Sequence, residues 1–164
     1  MADKQKATMG PVGEALRDNI KRIREEQRLT FVKLSEKLSE VGRPIPVLGL
    51  RRIERGERRV DTEEMLALAY VLGVHPVDLL VPPGLSDDAP YSVAPEIHAT
   101  AGKARDWIGG VGFLPSTNVV DMARALQFMP KSRQSLVATR WLQETNKTQG
   151  KDPEEGLPGW ESDE

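Results

Sequence analysis

The chain has 164 residues, 38% of them hydrophobic and 5% aromatic, with a formal net charge of −2. That suits one ordinary domain with an appendage, or two small domains, and favours helices packed by Leu, Val and Ile over a large sheet. There is no cysteine and there are only two histidines, His75 and His98, which excludes disulfides and thiolate metal sites, and no metal-ligand or calcium-loop spacing is visible.

Charge is unevenly spread. From Arg17 to Arg59 thirteen Lys or Arg face seven Asp or Glu, a local balance of +6, whereas Pro82 to the end carries eight against twelve, a balance of −4. A basic segment of this size keeps a nucleic-acid partner open. The opening Met-Ala-Asp-Lys-Gln-Lys lacks the apolar core of a signal peptide. The longest apolar run, Met65 to Val74, is about half a membrane span. The expected location is the cytoplasm, with no membrane partner.

Residues 1–12, polar and holding Gly10-Pro11, read as a flexible leader. A first helix is expected over roughly Gly13 to Gln27, with Leu16, Ile20 and Ile23 on one face and Leu29 following it. A second starts from Thr30 as N-cap and runs through Leu38, burying Leu34 and Leu38. A long connection, Ser39 to Ile45, leads to a third helix that opens at Pro46 and ends near Arg55-Gly56, with Leu50 and Ile53 inward. Asp61 and Glu64 have capping-box spacing for a fourth helix, expected to bury Met65, Leu66, Leu68, Ala69 and Leu72 and to stop at Gly73. A short fifth helix is capped by His75 and closes the core with Leu79 and Leu80. Residues 82–95 read as a linker, 96–145 as a small helical region, and 146–164 as a disordered acidic tail. The fold class expected is therefore all-α.

The strings Ile20-Lys21-Arg22-Ile23-Arg24, Leu29-Thr30, Leu34-Ser35, Ile53-Glu54-Arg55-Gly56, Leu68-Ala69 and Leu72-Gly73-Val74 together resemble the lambda-repressor-like, or xenobiotic-response-element, helix-turn-helix family. Gly42-Arg43-Pro44-Ile45-Pro46 with Arg58-Arg59-Val60-Asp61 resembles a variant common in actinobacteria and their phages. The resemblance implies a five-helix domain over 13–81 whose second helix crosses the phosphate backbone and whose third lies in the major groove. By position, Val47, Leu48, Gly49, Arg51 and Arg52 would face the bases. The arginines could hold guanine bidentately, and Val47 or Leu48 could touch a thymine methyl. For Val47 and Leu48 the alternative is packing against the long turn; for the arginines it is a solvated face.

Thr30, Phe31, Arg43, Arg55, Arg58 and Arg59 are the expected phosphate contacts, the first two through backbone N–H groups at a helix start. Six arginines against two acids crowd residues 43 to 59. The resemblance further implies an ion pair between Arg24 and Glu54, the alternative being two unrelated surface charges. Two features depart from the family. Phe31 stands where many members carry a glutamine that bridges phosphate and recognition helix, and the turn before the third helix is about five residues longer than the common form.

Gly109-Gly110-Val111-Gly112 lacks the lysine and hydroxyl of a phosphate loop and reads as a turn. No nucleophile–base or paired-carboxylate pattern stands out, so no enzyme, catalytic residue, cofactor or small-molecule ligand is expected. In the second half, Val119, Val120, Met122, Ala123, Leu126 and Met129 make one apolar face after Thr117-Asn118, and Leu136, Val137, Trp141 and Leu142 mark another helix. Six acids and no base between Asp152 and Glu164 suggest a solubilising tail, or one that competes with DNA for the basic face. The expected function is a sequence-specific double-stranded-DNA-binding regulator, a repressor acting by operator occupancy as a homodimer. The alternative is a protein-interaction module, such as an antitoxin or accessory factor.

Overall fold

The computed structural model describes residues 9–114 and 117–148. The expected tail therefore lies outside the described residues except for its first three positions, as does most of the expected leader. The chain divides into two compact units, Met1–Arg105 and Asp106–Glu164.

The first unit opens with α1 (Pro11–Glu26), which starts at Pro11, two residues ahead of expectation. Proline's fixed φ suits a first helical position and its missing N–H leaves nothing unsatisfied there. Leu16, Ile20 and Ile23 form the buried stripe of α1. In α2 (Phe31–Glu40) the Thr30 hydroxyl accepts the Lys33 N–H at 3.2 Å, as its cap position demands. The long turn that follows is ordered by three devices. Gly42 takes a left-handed φ of 77°, the Arg43 N–H donates to the Leu38 carbonyl at 2.9 Å, and the Ser35 hydroxyl donates to the Ile45 carbonyl at 2.7 Å. Ile45 is thereby sunk into the core.

Pro46 stands just outside α3 (Val47–Glu54), as its cap. Leu50 and Ile53 point down from α3 into a core shared with Leu34, Leu38, Leu68, Leu72 and Leu79. Asp61 accepts the Glu64 N–H at 2.8 Å and Glu64 accepts the Asp61 N–H at 3.3 Å, closing the capping box of α4 (Thr62–Leu72). Leu66, expected inside, is half exposed. The inward face of α4 is set by Leu68, Ala69 and Leu72, and a residue two before Leu68 falls on the opposite side of the helix. Gly73 ends α4 in the left-handed region, and α5 (Pro76–Leu80) follows with Leu79 buried. The His75 N–H donates to the Asp78 carboxylate at the start of α5.

The fold is mostly helical but not all-α. Residues 90–94, expected as linker, form β1 (Pro90–Ala94), which pairs antiparallel with β2 (Ile97–Thr100) around Pro95-Glu96, with an irregularity between Ser92 and Ala94. Tyr91, Val93 and Ile97 favour strands and Pro95 favours the turn. The strands are too short to show a period that outweighs the Pro/Gly punctuation around them. Tyr91 is buried and its hydroxyl donates to the Leu80 carbonyl, tying the hairpin to the end of α5; β1 also lies against α1. The preceding stretch is no free linker. Arg105 in α6 (Ala101–Ile108) donates to the carbonyls of Pro82 at 2.8 Å and Leu85 at 2.7 Å and to Asp87 at 2.6 Å. Gly102 lets the Asp87 backbone approach, since a Cβ there would meet the Asp87 carbonyl oxygen at 3.2 Å.

The second unit holds the end of α6, α7 (Val119–Gln127) and α8 (Lys131–Thr148). Asn118 caps α7 by accepting the Asp121 N–H at 2.9 Å. The glycines at 109–112 form a turn, as expected, with Gly110 left-handed and its carbonyl, with that of Gly109, accepting Arg133 at 2.9 Å. α8 runs to Thr148, past the expected start of the tail at Asn146. Val137, Phe113 and Leu114 are buried, whereas Val119, Val120, Leu136 and above all Phe128, 84% exposed, are not.

Candidate nucleic-acid interface

The geometry of α3 follows from its spacing. Leu50 and Ile53, three apart, are each 1% exposed and pin the helix from below. Residues 48, 51 and 52 must then lie on the opposite surface. Leu48 is 64% exposed, Arg51 and Arg52 are exposed, and Val47 and Gly49 lie at the margins, partly covered. A Cβ on Gly49 would come within 3.2 Å of an Ile45 methyl, so the glycine lets the long turn close against α3. Val47 and Leu48 therefore do not both pack inside, and the two arginines are not occluded.

Beneath this surface sits the Arg24–Glu54 pair. Arg24 Nε and Nη2 meet the two Glu54 oxygens at 2.6 and 2.8 Å. The side chains are only 11% and 6% exposed. Arg24 also donates to the Leu29 carbonyl at 3.1 Å. The hydrogen bonds to Glu54 hold the Arg24 pKa above its ordinary value, outweighing the opposing effect of burial. The pair bolts the end of α1 to the end of α3, fixing the angle at which α3 is presented. Phe31 covers it, with the Arg24 Cζ 4.3 Å from the ring centroid and the Arg51 Cζ at 5.5 Å.

The expected phosphate contacts separate into kinds. Arg55 is exposed beside Glu57 at 3.0 Å, and Arg52 is 4.0 Å from the same carboxylate. Such open pairs contribute about 0–1 kcal/mol. Arg43 is held between the exposed carboxylates of Asp61 at 2.8 Å and Glu63 at 2.6 Å. Arg58 differs. Its Nη2 is committed to the buried Glu64 carboxylate, itself part of the α4 capping box, so Arg58 is a structural anchor and not an open cation. Arg59 is exposed. The Thr30 hydroxyl is taken up as the cap of α2, which already satisfies one first-turn N–H, that of Lys33.

Lys21 was not singled out by the sequence. It lines a cleft of about 210 Å³ with Phe31, Arg51, Glu54 and Arg55. Its position three residues before Arg24, on the same α1 face, is the signal that could have found it.

No protein-family model, curated protein or solved structure matches this chain. Among the described residues no group of three or more His, Asp or Glu side chains could hold a metal ion, and no helix is long and apolar enough to cross a membrane.

Proposed function

We propose that this chain is a sequence-specific double-stranded-DNA-binding transcriptional regulator, built on a five-helix lambda-repressor-like domain and acting as a cytoplasmic repressor by occupying its operator. One observation carries the reading: α3 exposes Leu48, Arg51 and Arg52 on a single outward face, while Leu50 and Ile53 and the Arg24–Glu54 pair hold it rigidly from beneath. A helix so held, with planar bidentate donors outward, fits a major groove. Arg43, Arg55 and Arg59, with the start of α2, supply the phosphate contacts that set register. A single small module covers only about 600–1,000 Å² of DNA, so the operator is read by a homodimer, for which Val119, Val120 and Phe128 offer exposed apolar surface.

Salt titration tests the reading. A protein neutralising about 6–10 phosphates loses about 10³–10⁵ in duplex affinity between 50 and 200 mM salt. An affinity independent of salt over that range contradicts it. The exposed Leu48 and the partly buried Phe31 favour a second reading, an antitoxin-like or accessory module that docks a protein through this domain. A hydrophobic interface of that kind would scarcely respond to salt.

A further inference from the structure

The DNA-binding reading leaves open how a surface arginine on α3 is given a defined direction, and the environment of Arg51 supplies an answer that rests on that reading. Arg51 is exposed, and its guanidinium lies over the face of Phe31, with Cζ 5.5 Å from the ring centroid. Arg52, by contrast, leans towards Glu57. Phe31 is itself no loose surface ring. It packs partly buried against the core and stacks at 4.3 Å on Arg24, whose guanidinium is fixed by two bonds to Glu54 and one to the Leu29 carbonyl. A continuous buttress therefore runs from Glu54 through Arg24 and Phe31 to Arg51.

A guanidinium held over a ring by a cation–π contact is restrained without spending its N–H donors on another side chain. Those donors are the atoms that match the paired acceptors of a guanine edge. We propose that the Phe31 ring is a specificity-positioning group: it orients Arg51 for bidentate reading of a guanine and itself touches no phosphate, whatever the backbone N–H groups of that turn of α2 contact. Arg51 loses less freedom on reaching the base than an unsupported arginine would, so its contribution appears as discrimination between sequences.

The test uses the full chain, a duplex recovered by selection from random sequence, and a scrambled duplex of equal length. Phe31→Leu keeps apolar bulk but removes the ring; Phe31→Trp keeps a ring; Arg51→Ala removes the reader. Phe31→Leu is expected to lower the selected-to-scrambled affinity ratio by about 3- to 30-fold while leaving scrambled-duplex affinity and its salt slope unchanged. Phe31→Trp should hold the ratio within about twofold of the parent. The double variant Phe31→Leu/Arg51→Ala should discriminate no worse than Arg51→Ala alone, because one effect acts through the other. A merely structural role would instead lower the melting temperature and both affinities together. An unchanged ratio in Phe31→Leu, or losses that multiply in the double variant, overturns the proposal while leaving DNA binding intact. A parent protein without salt-dependent duplex binding removes the reading itself, and this proposal with it.

Discussion

Arg24 is held by two bonds to Glu54, one to a backbone carbonyl and the face of Phe31. Removing one partner of a pair so enclosed strands the other charge away from water. Arg24→Ala is accordingly expected to lower unfolding free energy by about 3–5 kcal/mol in urea denaturation; a loss under about 1 kcal/mol would place the pair with ordinary surface pairs. Tyr91 offers a milder case. Its hydroxyl donates to the Leu80 carbonyl, and burial pushes its pKa up from the ordinary value. Tyr91→Phe should cost about 1 kcal/mol at neutral pH. A raised folded pKa means that the stability Tyr91 adds is complete below the ordinary value near pH 10 and is lost as pH climbs through the folded value. The difference between parent and Tyr91→Phe should thus shrink in alkali, and a difference independent of pH up to 11 would show that the hydroxyl is not held as described.

At the scale of elements, the start of α4 gives the matching acid-side test. Asp61 accepts the Glu64 N–H and lies beside Arg43, and these hold its pKa below the ordinary carboxylate value. The unfolded chain then takes up the proton first, so the contribution of Asp61 is full above that ordinary value and drains away as pH falls through the depressed one. The melting-temperature gap between parent and Asp61→Asn should narrow below about pH 4. A gap of constant size from pH 6 to 2 would contradict the assignment.

Caps and stripes of this kind are what sequence displays well. Thr30, Asp61 and Gly73 mark helix ends through local chemistry, and Leu50 with Ile53 reveals the inner face of α3 by spacing alone. The hairpin was hidden because two strands of four or five residues, set among prolines, carry too little period to compete with turn signals. The fate of Arg58 was hidden for another reason: its partner Glu64 was already explained by the capping box, and only packing reveals that this carboxylate serves both. Leu66 shows the same limit, since in a helix as uniformly apolar as α4 the sequence does not say which apolar residue faces out.

For the whole molecule, the proposal assigns recognition to the outward surface of α3 and the opening turn of α2, framed by Arg43, Arg55 and Arg59. On this account the hairpin and the second unit take no part in base contact, and the proposed homodimer uses the exposed apolar side chains of α7 and of Phe128, which caps its end. Sedimentation of Phe128→Asp should show a shift towards monomer relative to the parent; identical sedimentation would remove α7 from the dimer. The most direct test is a backbone amide spectrum of the full chain, recorded before and after adding a duplex recovered by selection. The account expects the largest shifts at Thr30 to Lys33 and at Val47 to Arg52, with little change along β1 and β2. Shifts concentrated on the hairpin, or none at all on α3, would contradict it.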